Sequence, residues 1–244
     1  MNHATPITCA LLCSMALAAF LPQCAAAEPP RAVVGYRFEH IERNEFDDTN
    51  PIRSDFDWGR FAGQRHLLTF GMQNIAGGYV GGLLGPATHE VHNGEGETVE
   101  YDTVCFGVEA VWHWLLLPQQ GVGGLIVTRG LMTTKDSGHI TEVSRDEVTV
   151  DSRSELSWWE LSLLAALTHT RDQLSLQAGL EYVMWNVDQA WSLTTGNTTT
   201  DLEPDTSLGL LLGGRYQCTQ DIAVTFDVTL VHQVSFRTGV TYEF

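Results

Sequence analysis

Segments of about ten residues with alternating apolar and polar side chains recur along this chain, and they constrain its fold more than any other feature. In residues 221–233, DIAVTFDVTLVHQ, every even-numbered position from 222 to 230 is apolar. The odd-numbered positions from 223 to 229 carry alanine, threonine or aspartate. A period of two is typical of a β-strand with one apolar face. We therefore predict an all-β protein.

The number of these segments predicts the number of strands. We count ten, with eight as the alternative if the glycine-rich residues 76–85 merge with a neighbouring strand and one more is lost. The predicted strands are residues 32–41, 65–75, 78–85, 101–117, 122–132, 158–169, 174–186, 207–217, 221–233 and 234–244.

The connections between these strands are alternately long and short. Residues 42–63, 86–97, 133–155 and 192–206 form the long connections, while the Gly77–Gly78 pair and residues 118–120, 170–173 and 218–221 form the short ones. Only the short His232–Gln233 connection departs from this order. The pattern predicts an antiparallel up-and-down transmembrane β-barrel with long extracellular loops and short periplasmic turns.

Alternation alone also fits a soluble secreted barrel or sandwich, in which the apolar face would form the core. The composition of the polar face favours the membrane barrel, because this face is a sparse mixture of small polar residues with isolated charges of both signs. We predict that these charged residues line a narrow lumen and form ion pairs across it. They are Arg37, Glu39, Arg65, Glu109, Arg129, Glu160, Glu181, Arg215, Asp227 and Arg237.

The beginning of the chain resembles an export signal. An apolar run over residues 7–21 precedes small residues at Ala25 and Ala27, so we predict a cleavable signal peptide over residues 1–27 and a barrel domain over residues 28–244. The alternative is a lipoprotein modified at Cys24. After cleavage only Cys105 and Cys218 remain, and the predicted topology separates them too far for a disulfide.

Charge and motifs exclude several classes of function. The chain has 30 acidic and 13 basic residues and a net charge of -17, which argues against a nucleic-acid partner. His89 and His92 lie in an acidic stretch, residues 88–97, that we expect to be a solvated loop, and the spacing of a helical zinc site is absent. We predict no metal, no cofactor and no catalytic residue, because no nucleophile and base can be matched; an enzyme is the least favoured class.

The last predicted strand carries Phe236, Val240, Tyr242 and Phe244 on one face. With the signal peptide and the meander of ten-residue strands, this ending resembles the small outer-membrane barrels of Gram-negative bacteria, the OmpA-like and opacity-protein-like group. The resemblance implies that outer-membrane lipid surrounds the barrel. It also implies that these four residues form the signal read by the barrel-assembly machinery.

Two functional hypotheses follow from this architecture. The first is a structural or surface-interaction barrel with an ionically plugged lumen, whose acidic loops face an extracellular partner that the sequence does not identify. The second is a small porin-like channel, in which the inward arginine residues favour anionic or small polar solutes.

Overall fold

The computed structural model describes residues 29–44, 58–75, 78–93, 98–134, 136–145, 148–193, 196–202, 206–231 and 233–244. These residues form twelve β-strands and one short 3-10 turn, Pro118–Gln120. The strands are β1 Arg31–Asn44, β2 Trp58–Ile75, β3 Gly78–Asn93, β4 Thr98–Leu117, β5 Val122–Thr133, β6 Asp136–Arg145, β7 Val148–Arg171, β8 Leu174–Leu193, β9 Gly196–Leu202, β10 Thr206–Gln217, β11 Ile222–Val231 and β12 Gln233–Glu243.

Ten of the strands close into an antiparallel up-and-down barrel, so the predicted fold and its strand number are confirmed. Around the barrel the order is β1, β2, β3, β4, β5, β7, β8, β10, β11 and β12. The last strand pairs with the first from Val33 and Glu243 to Arg43 and Gln233. This pairing satisfies backbone groups that would otherwise form two open edges.

We call the end where β1 begins and β12 ends the terminal end, and the opposite end the far end. Strands β6 and β9 lie outside the ten-strand ring, because β6 pairs with the first half of β7 and β9 with the second half of β8. Both strands therefore extend the sheet beyond the ring at the far end.

The strands are longer at the far end than the sequence predicted. Residues 86–93, expected in a loop, and residues 98–100, which precede the predicted strand, continue β3 and β4 and remain paired from His92 and Thr98 inwards. Residues 136–145 and 196–202, also expected in loops, form β6 and β9. The reason is that many residues in these far-end segments are polar. The apolar alternation that marks a strand in the sequence therefore ends before the hydrogen-bonded pairing of the strands does.

The two faces of the barrel wall have opposite character. Outward side chains such as Leu68, Phe70, Leu180 and Phe226 are apolar and exposed, whereas inward neighbours such as Leu67, Thr69 and Glu181 are buried. An exposed apolar band around a closed sheet suits a lipid environment. Among the residues described above, no helix is long and apolar enough to cross a membrane.

Candidate functional site in the barrel interior

Four charged side chains form a closed ring of ion pairs inside the barrel, which we call the ionic ring. Arg65 donates to Glu39 at 3.2 Å and to Glu160 at 2.9 Å. Arg129 donates to the same two carboxylates, at 2.5 Å to Glu39 and 2.9 Å to Glu160. Each carboxylate thus gives one oxygen to each arginine, and the two positive and two negative charges of the ring cancel.

The ionic ring is excluded from solvent. Glu39 and Arg65 have no exposed side-chain area, and Arg129 retains only 4%. Burying charges is costly unless partners compensate them, and the loss of one partner would leave an unpaired charge in the interior. The alternation of sign around the ring provides this compensation.

Strand register explains how these charges come together. Asp227, Arg237, Glu39 and Arg65 are direct cross-strand neighbours on the consecutive strands β11, β12, β1 and β2. Their charges alternate in sign along this row, and opposite charges on facing positions stabilise a sheet. The other half of the ring comes from the opposite wall, because Arg129 lies on β5 and Glu160 on β7.

Two further ion pairs flank the ring on its terminal side. Arg37 donates both terminal nitrogens to Glu109, at 2.6 and 2.8 Å, and lies 3.8 Å from Glu39. Arg237 likewise donates to both oxygens of Glu181, at 2.8 and 2.6 Å. Such bidentate hydrogen bonds are the strongest arrangement of an arginine with a carboxylate.

Aromatic side chains cover the far side of the ionic ring, and we call Phe61, His89 and Trp158 the aromatic layer. The Arg65 guanidinium stacks 4.1 Å from the centre of the Trp158 ring. His89 is fully buried between Phe61 and Trp158, with ring centres 5.4 and 4.8 Å away. The expectation that His89 lies in a solvated loop is therefore wrong. Strand β3 extends beyond the exposed apolar band, and His89 occupies an inward-facing position in this extension. Tyr101 and Trp185 are also buried at this end.

A cavity of 210 Å³ occupies the lumen on the terminal side of the ring, and we call it the vestibule. Its lining runs from Arg129 and Glu181 at the inner end to Gln73 and Thr241 close to the terminal end. The exposed fraction of the arginine side chains rises in the same direction, from 4% at Arg129 to 36% at Arg215. The vestibule is therefore closed by the ring and reaches towards the terminal end.

Arg215 and Asp227, the remaining residues of the predicted ionic set, also line the vestibule. Arg215 donates through Nη2 to Glu243 at 3.0 Å and to Gln217 at 3.3 Å. Asp227 accepts one hydrogen bond, from Gln177 at 2.5 Å, and has no arginine within ion-pairing distance among the described residues. These two side chains lie outside the ring and its flanking pairs.

The four residues of the predicted assembly signal share the outer face of β12 and the residue after it. Phe236, Val240, Tyr242 and Phe244 are all exposed, and the last two rings pack edge to face at 4.7 Å. The backbone nitrogen of Phe244 donates to Ala32, so the last residue takes part in barrel closure.

The chain has further histidine and cysteine residues outside the ionic ring and the aromatic layer. His113 lines the vestibule, His169 is exposed and His232 lies outside the described residues. Cys105 is buried, Cys218 is exposed, and they form no disulfide with each other. Within the described ranges no three His, Cys, Asp or Glu side chains are grouped so that they could hold a metal ion.

Sequence reasoning missed the aromatic layer and the small residues that shape the interior. Phe61 and His89 were assigned to loops, although both have the parity of the inward positions of their strands, 65, 67 and 69 in β2 and 83 and 87 in β3. Extending that parity towards the far end would have identified both. The contact between Gln177 and Asp227 had no such signal, because it depends on a glycine between them in the register.

No protein-family model matches the chain, and no curated protein matches it in sequence. Among solved structures, the translocator domain of autotransporter NalP from Neisseria meningitidis matches with a TM-score of 0.51 and 11% identity, over 99% of this chain and 100% of that chain. The outer membrane protease OmpT from Escherichia coli has a TM-score of 0.48 and 8% identity, over 91% of this chain and 100% of that chain.

Neisserial surface protein A is a third similar structure, with a TM-score of 0.40 and 13% identity, over 89% of this chain and 100% of that chain. Identities this low show a shared fold and carry no information about activity. The NalP translocator domain matches over almost the full length of both chains and shows a shared β-barrel fold. With its closed ring of ten antiparallel strands, the chain has the fold of the bacterial outer-membrane β-barrels.

Proposed function

We propose that this protein is an outer-membrane barrel with a non-conducting lumen and a structural or surface-interaction role. The observation that supports this most strongly is the buried ionic ring, which connects opposite walls of the barrel. Glu39 lies on β1, and its partner Arg129 on β5 is four strands away around the ring of ten. Arg65 on β2 reaches Glu160 on β7 across the same number of strands.

A solute crossing the lumen would have to break these bridges. Separating one arginine from both of its carboxylates leaves three charges without full compensation in a region where water has no access. The aromatic layer adds a second barrier, because Phe61, His89 and Trp158 pack directly against one another on the far side. Two successive layers therefore close the interior.

The proposal includes the orientation and export of the chain. We infer that residues 1–27 are a cleaved signal peptide, that the terminal end faces the periplasm and that the far end faces outwards. The hairpins of β6 with β7 and of β8 with β9 then extend the barrel beyond the outer surface of the membrane. A role in contact with an extracellular partner rests on these projecting hairpins.

Single-channel recording in planar lipid bilayers tests the closed lumen. The wild-type barrel is expected to give no unitary openings, whereas Arg65→Ala combined with Trp158→Ala, which removes two bridges of the ring and one side chain of the aromatic layer, is expected to give small openings. The matched control is Arg171→Ala, since Arg171 is exposed at the terminal end of β7. Regular openings of the wild type would contradict the proposal.

A narrow channel is the second candidate, and the vestibule favours it. Its 210 Å³ already form a polar passage through the terminal part of the lumen, so opening the ring and aromatic layer would complete a pore. The predicted preference for anions is weakened, however, because each of the five inward arginine residues has a carboxylate partner.

A further inference from the structure

We propose that the vestibule binds small zwitterionic solutes, molecules that carry an ammonium and a carboxylate group close together. The site consists of Asp227, Gln177 and Arg215 on the inner face of β11, β8 and β10. The inference is independent of whether the ionic ring opens, because the site lies entirely on the terminal side of the ring.

Asp227 supplies the position for the ammonium group. Its register neighbour Arg237 turns away and gives both terminal nitrogens to Glu181. The other two carboxylates that line the vestibule, Glu109 and Glu181, are each held by an arginine. Asp227 is thus the one lining carboxylate, among the residues described, whose charge has no arginine within 4.0 Å, and it accepts a single hydrogen bond.

Gly213 leaves room for the hydrogen bond that orients the Asp227 carboxylate. Gln177, Gly213 and Asp227 are neighbours on one rung across β8, β10 and β11. Since Gly213 has no side chain, the amide of Gln177 reaches over it to Asp227. A Cβ atom at this position would overlap Asp227 Oδ1 and lie 2.9 Å from Gln177 Nε2.

Arg215 supplies the position for the carboxylate group. Its two hydrogen bonds both use Nη2, and Nη1 and Nε donate to no described residue. Arg215 faces Thr225 in the register, and Asp227 is two residues further along the same strand. Such diagonal neighbours lie about 7–8 Å apart, with the Cβ atoms somewhat closer, a span that a small zwitterion between the two side chains can bridge.

The size and polarity of the vestibule fit this ligand class. A cavity needs only about 10–15 Å³ to hold one water molecule, so 210 Å³ accommodates a solute of several heavy atoms together with water. A purely anionic or cationic solute would satisfy only one of the two incompletely partnered groups. A zwitterion satisfies both without changing the net charge of the interior.

Titration of the refolded barrel in nonionic micelles, followed by amide chemical shifts in NMR, tests the site with glycine as the probe. Glycine is expected to give saturable shifts centred on β8, β10 and β11. Acetate and methylammonium each carry one of the two charges of glycine. Both are expected to bind at least about tenfold more weakly than glycine, because each loses a charge-assisted hydrogen bond.

Three variants locate the binding. Asp227→Asn and Arg215→Gln each remove one charge, and Gly213→Ala displaces the contact between Gln177 and Asp227; each should weaken glycine binding about tenfold or more. The matched controls are Asp102→Asn and Arg171→Gln, exposed residues outside the vestibule, which should bind as the wild type.

Circular dichroism and heat-modifiable migration on gels verify that each variant is folded. Arg215→Gln should disturb folding least, because the Arg215 side chain is partly exposed. The proposal is overturned if glycine gives no saturable shift. It is also overturned if Arg215→Gln and Asp227→Asn bind glycine like the wild type, or if acetate binds as tightly as glycine.

Discussion

Arg65 and Arg129 share the same two carboxylate partners, Glu39 and Glu160, although they lie on strands separated by β3 and β4. Neither arginine has an exclusive partner, so the four side chains act as one unit. The stability of the barrel should therefore respond to the charge balance of the ring rather than to any single bond.

Removing one member of the ring should destabilise the barrel strongly. Glu39→Gln leaves two buried arginine residues with one full carboxylate, and such losses cost about 3–5 kcal/mol. Urea unfolding in lipid vesicles, followed by tryptophan fluorescence, measures the change in the free energy of unfolding. The control is Glu243→Gln, because its partner Arg215 is 36% exposed and a pair this exposed contributes about 1 kcal/mol or less.

Removing one charge of each sign should cost less than the sum of the single changes. In the pair Glu39→Gln with Arg65→Gln, the ring loses one negative and one positive charge and stays neutral. In a double-mutant cycle, the double variant is expected to be about 1–3 kcal/mol more stable than the sum of the two single changes predicts. Additive costs would show that the ring does not act as one unit.

The aromatic layer should not tolerate a side chain at Gly63. A Cβ atom there would lie 2.8 Å from Nδ1 of His89, and His89 cannot move because Phe61 and Trp158 pack against it. Gly63→Ala is expected to lower the free energy of unfolding by about 1–3 kcal/mol. Gly214→Ala is the control, since its nearest contacts would be 3.3 and 3.4 Å. Equal stabilities of the two variants would argue against rigid packing around His89.

The lipid environment of the outer face can be tested on a single strand. Leu180 and Leu174 share the outer face of β8 and are similarly exposed, at 53% and 44%. Leu174 begins the strand at the terminal end, and Leu180 lies about 20 Å further along it. Leu180→Arg should cost about 2–4 kcal/mol in a bilayer and Leu174→Arg about 0–1 kcal/mol. In a water-soluble barrel both substitutions would be nearly neutral.

The last residue offers a way to separate assembly from stability. The Phe244 side chain is 69% exposed, so Phe244→Ala should change the unfolding of the purified barrel little. If the residue belongs to an assembly signal, the amount of heat-modifiable barrel in cell membranes should fall several-fold. Val234→Ala, on the same face of β12 and also exposed, is the control. Equal membrane levels of both variants would remove Phe244 from the signal.

The barrel was predictable because its lipid belt imposes a strict pattern. Each ring strand has apolar residues outside and a mixture of small, charged and buried apolar residues inside, and the period of two marks the strand without any knowledge of its neighbours. Beyond the belt this constraint ends. Thr88 and Asp102 face outwards and bond to each other at 3.0 Å, so the sequence around His89 looks like a loop although it is paired.

The ionic ring was predictable in composition and not in connectivity. Parity alone predicts which charges face inwards, but Glu39 and Arg129 are 90 residues apart in the sequence. Their contact depends on strand number, tilt and stagger together, which set the level of each residue inside the barrel. The bond between Gln177 and Asp227 required one more fact: these two side chains meet in the space that a side chain at position 213 would occupy.

The neutrality of the ionic ring has a consequence for its response to voltage. A potential across the membrane acts on net charge, and moving one elementary charge through 100 mV changes the free energy by about 2.3 kcal/mol. On two arginine and two glutamate residues these forces cancel, so a field can pull the ring apart but cannot displace it as a body. A barrel closed in this way should stay closed under applied voltages that gate pores whose sensors carry charge of one sign.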